Sequence, residues 1–178
     1  TENVSQVLRE LRQIDRPVRK VMIAGGGNVG VRVAHSISES LTLKIIDHNK
    51  IRCEKISNVL GSKALVIHGD ATDEALLTEE NVADIDMFVA LTNDDENNIM
   101  SALLAKRLGA KRVMSLINRK AYAELVEGGN IDITITPSHA TVGELLKYIR
   151  RGDIEAVHSL KRGAAGALEI IVHGDRST

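Results

Sequence analysis

Short runs of apolar residues alternate with helically spaced apolar positions along most of the chain. The runs lie at residues 21–24, 43–46, 64–67, 87–91, 113–117 and 131–135, and polar or helix-patterned segments separate them. Strands buried on both faces read as near-continuous apolar runs, because crossover helices cover each side of a parallel sheet. The pattern therefore predicts an α/β fold: a doubly wound, six-stranded parallel sheet with helices on both faces and right-handed crossovers. The clearest helix is expected over residues 97–108, with Ile99, Met100, Leu103, Leu104 and Leu108 on one face and Gly109 at its end. Val4, Val7, Leu8, Leu11 and Ile14 give residues 1–15 the pattern of an amphipathic helix that ends before Pro17, and its apolar stripe needs a partner.

The first apolar run leads directly into Gly25-Gly26-Gly27-Asn28-Val29-Gly30, a GxGxxG dinucleotide-binding fingerprint between a strand and a helix. Gly25 permits the tight turn, Gly27 lets the backbone approach a pyrophosphate, and Gly30 allows close helix–strand packing. The helix N-terminus then offers its N–H groups and positive dipole end to phosphate. Twenty residues after Gly27 the second run ends in Asp47, whose carboxylate is placed to accept from a ribose 2′-hydroxyl and to repel a 2′-phosphate. Together these features make the fold Rossmann-like.

In such a sheet the ligand lies outside the carboxyl ends of the strands. The loops that reach that edge contain Gly25 to Gly30, then Asp47 and His48, then Asp70 and Ala71, then Thr92 and Asn93. Asp70 suits an adenine amino group, and a helix N-cap equally well; Ala71 could lie against the base, and Thr92 and Asn93 could reach the second ribose or the phosphates. Arg119 follows the fifth strand at the same edge and could meet a phosphate. Asp94, Asp95 and Glu96 precede the long helix; they favour its positive dipole end, with a hard-cation site as the weaker alternative.

Composition removes several function classes. With 23 basic and 24 acidic residues, bulk charge points to neither nucleic acid nor an anionic membrane. No Trp, one Phe and two Tyr leave little for base stacking, so the core must be aliphatic. Cys53 is the only cysteine, which suits a reducing compartment, and its place in a helical stretch favours an inert thiol. No apolar run approaches the roughly 20 residues that span a bilayer, so a soluble, cytoplasmic protein without direct membrane insertion is expected. The chain holds no Tyr-x-x-x-Lys pair, Walker loop, His-Glu-x-x-His, Cys-x-x-Cys or Gly-x-Ser-x-Gly element, and its six histidines lack ligand spacing. No catalytic or metal-ligating residues are assigned, and a nucleotide sensor is favoured over the alternative, an NAD-dependent oxidoreductase fragment.

After the sixth run, Thr141 and Glu144 have capping-box spacing, and Val142, Leu145, Leu146 and Ile149 stripe the helix that follows. That stripe suits a homo-oligomer contact through residues 138–150, or packing on the edge of the same domain. The expected organisation is a helix of a preceding module at 1–16, a nucleotide-binding domain at 17–136, a crossover or dimerisation helix at 137–152 and the start of a small domain at 153–178. Both ends look cut from a longer polypeptide.

Residues 25–30, Asp47, residues 69–71, the long segment 89–110 and residues 159–163 carry a resemblance to the nucleotide-binding regulatory domains of Trk-type potassium-uptake systems, the RCK/KTN (TrkA-N) family. The resemblance covers essentially the whole chain and implies the second of two tandem nucleotide-binding halves. It implies Gly25, Gly27, Asn28 and Gly30 at the pyrophosphate, Asp47 at the adenosine ribose, Asp70 and Ala71 at the adenine, and Thr92 and Asn93 at the distal side; Val29 and His48, beside them in the same loops, are further candidate cofactor-binding residues. The implied ligand is NAD(H), with ATP or ADP competing. The implied partner is the cytoplasmic face of a potassium-transporting membrane protein, which would make the subunit peripheral to the inner membrane.

Overall fold

The strand order is β3-β2-β1-β4-β5-β6, with every neighbouring pair parallel. In this computed structural model the strands are β1 (Lys20–Ala24), β2 (Thr42–Asp47), β3 (Leu65–His68), β4 (Met87–Ala90), β5 (Arg112–Leu116) and β6 (Ile133–Ile135). The helices between them are α1 (Asn28–Ile37), α2 (Lys50–Leu60), α3 (Glu74–Glu79), α4 (Asp95–Arg107) and α5 (Lys120–Val126). The structure describes residues 17–136 and Ile149. The expected helix at 1–15, most of that at 142–149 and the segment from 153 onward lie outside the described residues; Ile149 itself is helical and fully buried.

Each expected strand is present, shifted by no more than two residues at either end. Strand register divides their side chains between two faces. Met22, Ala24, Ile46, Phe88, Ala90 and Val113 join Leu77 of α3 and Ala102 and Ala105 of α4 in one apolar cluster. On the other face Val21, Ile23, Leu43, Ile45, Met87, Val89 and Met114 share register positions. All seven are buried, as are Val33, Ala34 and Ile37 of α1 and Ile56 and Leu60 of α2. The strand order reverses between β1 and β4, so their diverging loops open a crevice at the carboxyl edge.

The expected apolar face of α4 needs correction. Met100 is 58% exposed, whereas the fully buried positions are Asn98, Ala102 and Ala105, with Ile99, Leu103, Leu104 and Leu108 only partly buried along the flank. Small residues set the helix close to β4 and β5, and the longer side chains fill the margins. Met100→Ser should therefore change stability by less than about 0.5 kcal/mol. Ala102→Leu should cost about 1–3 kcal/mol by overpacking. Urea unfolding of both variants measures this, and the reverse ranking would contradict the assignment.

Candidate functional site

Gly25 makes the turn out of β1 with φ 109°, and a Cβ there would lie 2.9 Å from the backbone of Leu91 and Thr92. Any side chain would therefore meet both backbone strain and the loop after β4. Gly30 is tighter still: its Cβ would fall 1.9 Å from the Gly25 carbonyl oxygen, so the helix packs chiefly on the turn itself and less on the strand than its spacing implied. Gly27 differs, because a Cβ there meets nothing within 4 Å. Its bareness serves the open space in front of it. Gly27 is also the extended N-cap of α1 and has no side chain to bond the first N–H groups, leaving them directed into that space.

The space is a cleft of about 1230 Å³, above the roughly 300–1,000 Å³ of a small-molecule pocket. Gly25, Gly27, Asn28 and Val29 line one wall, Asp47 and His48 the second, and Thr92 and Asn93 the third. Eight of the expected site residues are thus brought together. Gly30 lies buried behind the turn and supports it. Asp70, Ala71 and Arg119 are not in the lining. Asp70 Oδ1 accepts from the Thr72 N–H at 2.8 Å and from its hydroxyl at 2.7 Å, bonds that hold the Asp70 carboxyl below its ordinary pKa. The N-cap alternative for Asp70 is overturned: Asp73 caps α3, accepting from the N–H groups of Ala75 and Leu76. Ala71 packs against the apolar cluster. Arg119 reaches Glu96 Oε1 at 3.1 Å and Tyr122 Oη at 2.9 Å, with its guanidinium 4.9 Å from the Tyr122 ring centroid.

Asp47 is the buried organiser of this rim. Its Oδ2 accepts from the Gly26 N–H at 2.6 Å and from Arg52 Nη1 at 3.0 Å, and its Oδ1 from the Asn49 N–H at 2.8 Å. Burial alone would raise the Asp47 pKa, but the N–H groups of Asn49 and Gly26 and the Arg52 charge outweigh it and hold the carboxyl below the ordinary value. A lowered folded pKa contributes stability that is complete above the unfolded value of about 3.9 and disappears as pH falls through the folded one. Asp47→Asn should flatten the loss of stability below about pH 4 while lowering stability at neutral pH; urea unfolding across pH checks both. Gly26 completes this corner, since a Cβ there would lie 2.4 Å from Ile56 Cδ1 of α2.

The three consecutive carboxylates at the start of α4 diverge. Asp94 caps the helix by accepting from the Asn97 N–H at 2.8 Å. Asp95 turns inward and takes the backbone N–H groups of Asn118 and Arg119, both at 2.8 Å. Burial would raise the Asp95 carboxyl, yet those donors hold it below its usual pKa. Glu96 points outward to Arg119 and Tyr122. Two residues further in, fully buried Asn98 donates to the carbonyl oxygens of Leu116 at 2.8 Å and Thr92 at 3.0 Å. Its Oδ1 accepts from the Thr92 N–H at 2.9 Å and hydroxyl at 2.7 Å. Cys53 is buried on α2, and burial, reinforced by the Asp47 charge, pushes its thiol pKa up, which leaves the thiol inert.

Gly26 and Asn49, in loops that the sequence already brings to this edge, also line the cleft, whereas sequence reasoning missed Arg52, Lys55, Arg32 and Asn118 in the lining and Asn98 behind it. A spacing signal existed for Arg52 alone: one helical turn into α2, it returns over the end of β2. Among the described residues no helix is long and apolar enough to cross a membrane.

Comparison with known proteins agrees with this architecture. Among solved structures, the NAD(P)-binding domain of an exopolyphosphatase-related protein from Archaeoglobus fulgidus superimposes with a TM-score of 0.62 at 14% identity, covering 74% of this chain and 97% of that one. The GsuK channel bound to NAD gives 0.58 at 16% identity, covering 68% and 22%. Both show a shared fold. The Trk system potassium uptake protein TrkA of Halomonas elongata is 54% identical over 173 residues, 97% of this chain and 38% of that protein, so this chain spans well under half of its relative's length. The TrkA-N domain model matches residues 21–137, and the chain belongs to the TrkA-N domain family.

Proposed function

We propose that the cleft binds an adenine nucleotide, NAD(H) foremost with ATP or ADP competing, and that the domain is a regulatory, non-catalytic part of a cytoplasmic subunit that controls potassium uptake by a Trk-type membrane transporter. The observation that carries this reading is the open space at Gly27, where uncapped N–H groups of α1 face a cleft lined by the loops after β1, β2 and β4. The family membership and the NAD-bound channel that shares the fold support it. The pyrophosphate meets the glycine turn, and the sugar on one side lies toward Thr92 and Asn93.

Regulation then works by population shift. A nucleotide biases an assembly only by the difference in its affinity for two conformations, and tens-fold discrimination amounts to about 2 kcal/mol. Residues 138–150 are proposed as the contact with a second copy, within an assembly docked on the cytoplasmic face of the transporter. The test is titration calorimetry of the chain with NADH and ATP, together with an NADH-consumption assay and light scattering. Saturable binding without turnover, and with altered assembly, is expected. Steady NADH oxidation with a small substrate would instead place the domain among oxidoreductases, and no binding of either nucleotide would remove the reading.

A further inference from the structure

The wall of the cleft built by β4, β5 and the loops after them differs chemically from the others. Leu91, Thr92, Asn93, Leu116 and Asn118 form it, and none of them carries a charge. The cations of the lining, by contrast, stand on α1 and α2. Arg119, next in the chain to Asn118, is engaged with Glu96 and Tyr122 and does not join the lining. A neutral group with hydrogen-bond donors suits this wall better than a phosphate, which draws on charged donors.

The first turn of α4 holds the two loops of this wall side by side. Asn98 Nδ2 donates to the carbonyl oxygens of both Thr92 and Leu116, at 3.0 and 2.8 Å. On the same turn, Asp95 Oδ1 accepts from the Asn118 backbone N–H at 2.8 Å and from Asn118 Nδ2 at 2.7 Å. The donors around buried Asp95 hold it ionised, and an ionised carboxylate can only accept. The Asn118 amide must therefore give its nitrogen to Asp95 and turn its oxygen elsewhere. Among the described residues Asn118 Oδ1 accepts no hydrogen bond, and the residue is exposed. An exposed cleft-lining acceptor thus has its orientation fixed from behind by a buried carboxylate.

We propose that Asn118 Oδ1 is the acceptor that recognises the nicotinamide riboside half of NAD(H), and that Asp95 is the positioning residue that orients it. This role rests on the nucleotide reading above and adds a specificity residue to that site. The riboside offers two kinds of donor to such an oxygen, the carboxamide N–H of the nicotinamide and the hydroxyls of its ribose. ADP has neither beyond its phosphates. A mononucleotide and the dinucleotide then share the adenosine half and the glycine turn, and only the dinucleotide uses Asn118.

The experiment is calorimetric titration of the full chain with NADH, ADP-ribose and ADP, repeated on Asn118→Ala and Asp95→Asn. Asn118→Ala should weaken NADH binding by about three- to tenfold, the loss of one neutral hydrogen bond, and leave ADP affinity within about twofold of wild type. ADP-ribose, which has the second ribose without the nicotinamide, identifies the donor: it weakens with NADH if a hydroxyl bonds Asn118, and stays with ADP if the carboxamide does. Asp95→Asn should lower the NADH-to-ADP affinity ratio in the same direction, a selective change that general damage to the fold would not produce. Asn118→Ala keeps the test decisive if Asp95→Asn fails to fold, because Asn118 is exposed and its backbone N–H still reaches Asp95. NADH affinity unchanged in Asn118→Ala, or falling by the same factor as ADP affinity, overturns the role of Asn118. Binding of none of the three ligands by folded wild-type chain would instead sink the nucleotide reading from which that role follows.

Discussion

Gly30→Ala is expected to destabilise the domain by about 3 kcal/mol or more, at the upper end of overpacking costs. The added methyl would lie 1.9 Å from the Gly25 carbonyl oxygen, and the obstacle is backbone, which no rotamer change can move aside. Relief requires lifting α1 off the turn, and with it Ile23, Val33 and Ala34 lose contact across a fully buried interface. In a chain of this size such a loss corresponds to a fall of roughly 6–12 °C in the melting temperature. Gly27→Ala is the matched control. Nothing lies within 4 Å of the added methyl, so stability should stay within about 0.5 kcal/mol of wild type. The same methyl projects into the proposed pyrophosphate position, and NADH affinity should fall at least about tenfold. Calorimetric melting and NADH titration of the two variants separate a glycine that the fold requires from one that the ligand requires. Equal melting temperatures for the pair would contradict that division.

Asn98→Asp carries the second large effect. The amide group gives two N–H donors to the carbonyl oxygens of Thr92 and Leu116, inside a region where it is fully buried. An ionised Asp keeps the acceptor that serves the Thr92 N–H and hydroxyl, but sets a carboxylate against two carbonyl oxygens that have lost their donor. Each unsatisfied buried group costs about 1–3 kcal/mol, so a total near 3–5 kcal/mol is expected at neutral pH. Protonation of the new carboxyl restores one donor, so the deficit should shrink as pH falls through its raised pKa. The loops after β4 and β5 are cross-linked through Asn98, and Thr92 and Asn93 line the cleft. Ligand affinity should therefore fall with stability. Urea unfolding and NADH titration at neutral and acidic pH test this; a variant as stable as wild type would contradict the bonding pattern.

Much of the architecture was legible because it rests on local patterns. Apolar runs placed the six strands, and glycine spacing located the turn that starts the crevice. The features that escaped depend on what meets in space. The stripe on α4 misled because helices packed directly over a sheet bury small residues, Ala102 and Ala105, and leave Met100 at the surface. Asp47 was recognisable as a site residue, but its burial and its pairing with Arg52 depend on α2 folding back over the end of β2. Asp70, Asp73 and Asp94 all had the chemistry of helix caps, and backbone direction alone decided which of them cap. Gly26 stands at the variable second position of the fingerprint, to which spacing assigns no role, yet Ile56 occupies the space where its side chain would stand.

The most direct measurement of the central claim is a two-dimensional amide NMR spectrum of the isotope-labelled full chain, recorded as NADH is added. The amides of Gly25, Gly26, Gly27 and Asn28, with Thr92 and Asn93 opposite, are expected to shift together along one saturable curve, and the response should be lost in Gly27→Ala. Shifts confined to residues away from these two loops, or no shifts at saturating NADH, would contradict the assignment of the cleft as the nucleotide site.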